Sequence, residues 1–360
     1  MHSFGILSFQ PSLSLHFYTG IASYAAKKGI NCYLIHPKNI DFEKQEATGL
    51  VYSSDDERWQ EGTFPIPTII YNRLFYKDER EFKDYLPIIT RLQSSPRHFF
   101  LGYSLPDKWM IYNKLKDNSQ IKPYLPETKR MSHSLDIVKA LEQWPAVIMK
   151  PSVGSQGVGI YLLMKRHDQI IVQTINRHGL VEKTFRPEQL KKWGKMLLAK
   201  QTYLLQPFLP LRDPQNRPFD LRIFFQRDHK GEWTELGRGL RIGKENHFLS
   251  NLRAGAEVHS YHNWLNTILE ERKKFIDEEL SELTSMILEA IDSSYPPVFE
   301  LCIDFGIGND GALWLLEISS KLGTSVLLKI SPEKKELLQK APVDYAIHLI
   351  HLALKGAKLE

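Results

Sequence analysis

The sequence predicts an α/β unit followed by an α+β region, and three observations carry that expectation. Apolar runs alternate with helical spacing from residue 4 to residue 92. Past residue 122 period-two patterns and turn signals take over, and near the C-terminus two apolar strands flank an Asp-Gly turn beside an amphipathic helix. A chain of 360 residues, 42% hydrophobic and 25% charged, is long enough to bury two or three such cores.

Phe4-Gly5-Ile6-Leu7 is the first apolar run, residues 15–27 have helical spacing, and Cys32-Tyr33-Leu34-Ile35 is a second run that Pro37 is expected to end. Thr68-Ile69-Ile70-Tyr71 follows the turn signals Pro65 and Pro67, and a charged helical stretch covers 79–92. That order predicts a small parallel sheet. Around residues 105–122 a short helix, 108–115, leads to Pro123 and Pro126 and then to strands of antiparallel style. The expected units are therefore 1–107, 108–205 and 206–360. Ile276, Leu280, Leu283, Ile287 and Ile291 recur at steps of three and four, predicting one helix over 264–293 whose apolar stripe is core.

A formal charge of +5 is modest for this length, and the basic residues are interleaved with acidic ones, so a dedicated nucleic-acid surface is not expected. Lys191-Lys192-Trp193-Gly194-Lys195 is the best candidate for one, and a solvated helix end is the plainer reading. No stretch approaches the roughly 18 apolar residues of a membrane span. Met1-His2-Ser3-Phe4-Gly5 puts no basic region ahead of an apolar one, so a cytoplasmic protein without a membrane partner is expected. Cys32 and Cys302 lie inside apolar runs, as buried free thiols would.

Ala146-Val147-Ile148-Met149-Lys150 is an apolar strand ending in lysine, followed by Gly154-Ser155-Gln156-Gly157-Val158-Gly159 and a second apolar run. Strand, glycine loop and strand predict a hairpin flap. Its glycines reach positive-φ shapes that aim successive N–H groups into one phosphate-holding concavity, and Lys150 adds a point charge. A Walker loop places its lysine after the glycines, and a dinucleotide fingerprint opens a helix; neither fits. Asp304-Phe305-Gly306 imitates a protein kinase, but Lys150 precedes the glycine loop and no H-R-D stretch stands upstream. A plain glycine-rich hairpin is the alternative.

Further on, the strands around Asp304 and Glu317 flank Asn309-Asp310-Gly311. Asp-Gly is a strong hairpin turn signal. Taking Asp310 and Gly311 as a two-residue loop sets Asp304 opposite Glu317, on one face. Carboxylates that close among Leu, Ile, Cys and Trp need compensation, and magnesium bridging them to a phosphate supplies it, with manganese as a substitute. Ser319 shares that face. Two surface carboxylates on an edge strand are the alternative.

Together these residues resemble the ATP-grasp superfamily over roughly residues 105–330. The resemblance implies a Rossmann-like N-terminal domain, a central lobe carrying the flap and a C-terminal lobe carrying the metal site. It implies ATP contacts from Lys108 and Lys150, from the flap residues Gly154, Ser155, Gln156, Gly157 and Gly159, and from an adenine hinge at Gln206, Phe208 and Leu209. Asp220 is implied on the ribose side, Ser250 and Asn251 near the γ phosphate, Arg222 and Arg241 as catalytic, and Asp304, Glu317 and Ser319 at magnesium. Gln206 stands where the family has Glu, and Ser319 where it has Asn.

The Tyr71-Asn72-Arg73, Lys150-Pro151-Ser152 and Gly237-Arg238-Gly239 segments and Arg241 resemble the bacterial endospore coat-associated branch. The activity implied is that of an ATP- and magnesium-dependent carboxylate–amine ligase acting through an acylphosphate on an unidentified carboxylate and amine, in sporulation or envelope formation. Its rival is a spore coat-associated structural protein that keeps ATP but has lost turnover. Substrate identity and oligomeric state stay open.

Overall fold

The computed structural model describes residues 2–154, 157–176, 178–268 and 270–354. The first six strands, β1 (Ser3–Leu7), β2 (Asn31–Asp41), β3 (Glu46–Ser53), β4 (Arg58–Pro65), β5 (Ile69–Asn72) and β6 (Phe99–Leu101), form one sheet in the order β4-β3-β2-β1-β5-β6. From β2 to β6 it is parallel, as expected, with α1 (Leu15–Lys27) and α2 (Glu79–Gln93) as crossovers.

Two features depart from the sequence reading. Strand β2 continues past Pro37 to Asp41, with the proline inside a register irregularity between Ile35 and Ile40, where the ladder needs no donor. The β3–β4 pair adds an antiparallel edge to the sheet. Most of its residues stay partly exposed, so it lacks the continuous apolar run that marks a buried strand.

Helix α3 (Lys108–Lys116) opens the next region, whose sheet runs β11-β10-β9-β8-β12-β7. Its strands are β7 (Lys129–Arg130), β8 (Ala146–Pro151), β9 (Tyr161–Arg166), β10 (Gln169–Asn176), β11 (Gly179–Phe185) and β12 (Tyr203–Pro207). Helices α4 (Asp136–Gln143) and α5 (Pro187–Leu198) close its core through Ile137 and Leu190 against Val147, Leu163 and Leu205.

The last sheet, β15-β14-β13-β16-β17, is antiparallel throughout: β13 (Phe219–Arg227), β14 (Trp233–Ile242), β15 (Glu257–Ser260), β16 (Glu300–Ile307) and β17 (Leu313–Ser319). The helix expected over 264–293 is two, α6 (Tyr261–Leu265) and α7 (Glu270–Asp292). Thr267 ends the first by folding its N–H (2.9 Å) and its hydroxyl (2.7 Å) back onto the Trp264 carbonyl. The predicted stripe of α7, Ile276 to Ile291, is fully buried.

Two further helices, α8 (Thr324–Ile330) and α9 (Lys335–Leu354), complete the described chain. Helix α9 returns to the first sheet, packing Val343, Tyr345 and Ala346 with Tyr18, Ile21 and Ala22 of α1, while Ile111 and Leu115 of α3 join the core of the last sheet. The first and last sheets also share a buried polar joint. Glu300 accepts from Arg73 Nη1 at 2.5 Å, Leu322 N–H at 2.9 Å and the Tyr71 hydroxyl at 3.1 Å. Three donors satisfy that carboxylate, which is what makes its burial tolerable. Cys32 and Cys302 are buried and free, as their apolar runs predict.

Candidate functional site

The β16–β17 hairpin sets Asp304 opposite Glu317, the expected pair, but not by the expected route. Near the turn Ile307 faces Leu313 and Phe305 faces Leu315, one residue off the register that a two-residue loop would give. The turn is longer, closed by Gly308 N–H to Ala312 O at 2.8 Å and Gly311 N–H to Gly308 O at 2.9 Å. A bulge at Leu316 then restores the register. It also leaves the Leu316 carbonyl outside the ladder, where it accepts from Lys150 Nζ at 3.1 Å.

Protein groups already compensate much of the charge of the two carboxylates. Asp304 is 5% exposed and accepts from Arg222 Nε and Nη2, both at 2.6 Å, and from Arg241 Nη2 at 2.8 Å. Arg241 Nε in turn donates to Asp220 at 2.6 Å, and the Ser250 hydroxyl donates to the other Asp220 oxygen. Burial pushes the Asp304 carboxyl up, but Arg222 and Arg241 together overcome it and hold it at about 2. Burial raises the Asp220 carboxyl too, beyond what Arg241 offsets. Arg222 and Arg241 thus spend their charge on carboxylates, and Asp220 faces Arg241 and Ser250. Glu317 differs: its side chain is 33% exposed and its ionic contact is Lys108 Nζ at 3.4 Å.

Opposite this wall stands the flap. Strands β8 and β9 pair as predicted, from Ala146 against Met164 to Met149 against Tyr161. Gly154, Gly157 and Gly159 have φ of +133°, +74° and +74°. Gly157 lies against Asn251, where a Cβ would come within 2.6 Å of Oδ1. Ser155 and Gln156 lie outside the described residues. Lys108, first residue of α3, donates from Nζ to the Gly154 carbonyl at 2.6 Å, so the two lysines link the flap to the last sheet. Burial, aided by Lys108, lowers the Lys150 amine to about 8 against the pull of Glu317 and Asp304.

Between flap and wall lies an open cleft. Lys150, Asp304 and Glu317 line it together with the hinge residues Gln206, Phe208 and Leu209 and with Asp220, Arg241, Ser250 and Asn251. The Phe208 N–H is taken by the Ala146 carbonyl at 2.9 Å, and the Gln206 side-chain amide donates to Thr128 Oγ1 at 2.7 Å. Ser319 lies outside that cleft, on an adjoining cavity that Lys108, Gly154 and Glu317 also line.

Among the described residues no group of three or more His, Cys, Asp or Glu is placed to hold an ion. Magnesium needs only one or two protein carboxylates when phosphate oxygens complete its shell. The pair therefore suits an ion that arrives with a phosphate, with Glu317 the accessible ligand and Asp304 largely committed to its arginines. Sequence reasoning missed the linkage from Asp220 through Arg241 to Asp304, and it missed Lys321, whose Nζ contacts Asn72 Oδ1 at 3.3 Å and the Leu74 carbonyl. No motif marks Lys321; the acid Glu300 inside the apolar stretch Phe299–Leu301 was the one available signal of the nearby joint.

Known proteins resemble this chain in sequence and in fold. The endospore coat-associated protein YheC of Bacillus subtilis (strain 168) is 31% identical over 344 residues, 95% of this chain and 94% of that one. D-alanyl-alanine synthetase A of Vibrio cholerae superposes with a TM-score of 0.58 at 13% identity, covering 97% of this chain and 98% of that one. The ADP complex of the N5-carboxyaminoimidazole ribonucleotide synthetase purK gives 0.52 at 12% identity, over 90% and 71%. These likenesses are of fold. Residues 97–349 match the YheC/D-like ATP-grasp family, and the chain belongs to it.

Proposed function

We propose that the chain binds ATP with magnesium in the cleft and activates a substrate carboxylate for capture by an amine. A carboxylate oxygen attacks the γ phosphorus, ADP leaves, the amine nitrogen displaces phosphate from the acyl carbon, and its proton passes to solvent. Such transfer depends on positioning and charge neutralisation and needs no protein nucleophile. Bound magnesium would neutralise phosphate charge, held by Glu317 and, through its remaining lone pair, Asp304. Lys150 and Lys108 orient the phosphates, while Arg222 and Arg241 keep Asp304 ionised and fixed.

The observation that carries this reading is the meeting of Lys108, Lys150 and Glu317 where the cleft and the adjoining cavity join. The ADP held by the purK synthetase and the synthetase activity of the Vibrio cholerae neighbour support it. We assign 1–107 as the Rossmann-like domain, 108–205 as the central lobe and 206–360 as the C-terminal lobe. We also propose a cytoplasmic origin with spore association, the latter supported by the coat-associated relative. The second reading, nucleotide binding without turnover, draws on Gln206, whose amide is committed to Thr128, and on Ser319, which lies outside the cleft.

ADP release with a panel of amino acids and cell-wall peptides, in wild type and Glu317→Ala, tests the choice. Magnesium-dependent release by wild type, lost in the variant, is expected. Nucleotide binding without release across the panel overturns the ligase reading in favour of the second.

A further inference from the structure

The adjoining cavity opens between the segment after β5, the head of α3 and the end of β17. Its charges do not balance. Glu79 is taken by Lys83 at 2.7 Å and also faces Arg130, Glu317 is taken by Lys108 at 3.4 Å, and Asp107 caps α3 by accepting from the N–H groups of Trp109 and Met110. Lys321 has no carboxylate within ion-pair distance among the described residues. Its ammonium rests on Asn72 Oδ1 and the Leu74 carbonyl, 5.1 Å from the centre of the Tyr76 ring. Two neutral oxygens occupy two of its three protons. The charges that face it are Arg73, just past β5, and Glu300 on β16, which is already saturated by its own donors.

Two further observations point to a ligand. Ser152 is 2% exposed and lines the same cavity with a hydroxyl that finds no partner among the described residues. Phe75 and Met110 leave 40% and 56% of their surfaces uncovered, and both line it as well. The charged neighbours of Lys108 are Glu317 and Lys150, whereas those of Lys321 are Arg73 and Glu300, so the two cations sit in separate environments.

We propose that this cavity receives the acid substrate, and that the substrate carries a second anionic group seated on Lys321, apart from the carboxylate presented at Lys108 and Glu317. An aryl-sized apolar part lies against Phe75 and Met110. The inference rests on the ligase reading.

The test is calorimetric titration of the full chain, with a non-hydrolysable ATP analogue bound, against N-benzoylglutamate and against benzamidobutanoate, which lacks one carboxylate. The diacid is expected to bind about tenfold tighter. The preference vanishes in Lys321→Met and survives in Lys321→Arg; bound analogue reports that each variant is folded. Equal binding of the two acids, no binding of either, or a preference that survives Lys321→Met overturns the inference. Acids ignored by a chain that binds the analogue sink this inference alone; failure to bind the analogue sinks the ligase reading beneath it.

Discussion

Asp304 and Glu317 face each other across one hairpin, yet they live in different chemistry. Asp304 is 5% exposed and accepts three hydrogen bonds from two arginines, whereas Glu317 has a 33% exposed side chain and one ionic contact at 3.4 Å. A buried charge with three short partners is fixed, because removing any partner leaves an uncompensated ion. An exposed carboxylate with one long contact exchanges partners at little cost. The same strand pair thus supplies a fixed carboxylate and an adaptable one, and the adaptable one stands where the lysines converge.

Breaking the wall should have the largest effect. Arg241→Met strips charge compensation from both Asp220 and Asp304 and should lower unfolding free energy by about 3–5 kcal/mol, read by urea denaturation. Straining the flap comes next. Gly157→Ala forces a side chain into φ +74° against Asn251 and should weaken analogue binding by about 1–2 kcal/mol, with the global transition little changed.

Titrating the basic side gives a comparable effect. The folded Lys150 amine loses its proton near 8 and the unfolded one near 10.5, so above 8 the unfolded state binds more protons. Stability contributed through this group therefore rises between those values. Phosphate affinity runs the other way and should fall about tenfold from pH 7 to pH 9 in an isothermal titration, with Lys150→Arg flattening the profile. Changing the adaptable carboxylate should barely register in stability: Glu317→Gln should change the unfolding free energy, read by urea denaturation, by less than about 1 kcal/mol.

Those contrasts also show what the sequence could say. The flap, the α7 stripe and the parallel core were legible because periodicity and glycine placement are local signals. The Asp304–Glu317 pairing was legible for a partly accidental reason, since the longer turn and the Leu316 bulge offset each other. Pro37 misled because a proline stops a regular ladder but not an irregular one. The β3–β4 edge carried too little apolar sequence to be seen, and the helix break at Thr267 depends on a hydroxyl that periodicity ignores. The arginine linkage was out of reach because its members come from β13, β14 and β16 and meet only through sheet register. Lone residues such as Arg241 showed their type but not their partners.

In the proposed function Glu317 is the carboxylate that exchanges Lys108 for a new partner when nucleotide and metal enter. Affinity for a non-hydrolysable ATP analogue, measured with and without magnesium on wild type and Glu317→Gln, tests this most directly. Tighter binding with magnesium in wild type, and no magnesium effect in a variant that is equally stable, is the predicted result. An undiminished magnesium effect in Glu317→Gln would contradict it.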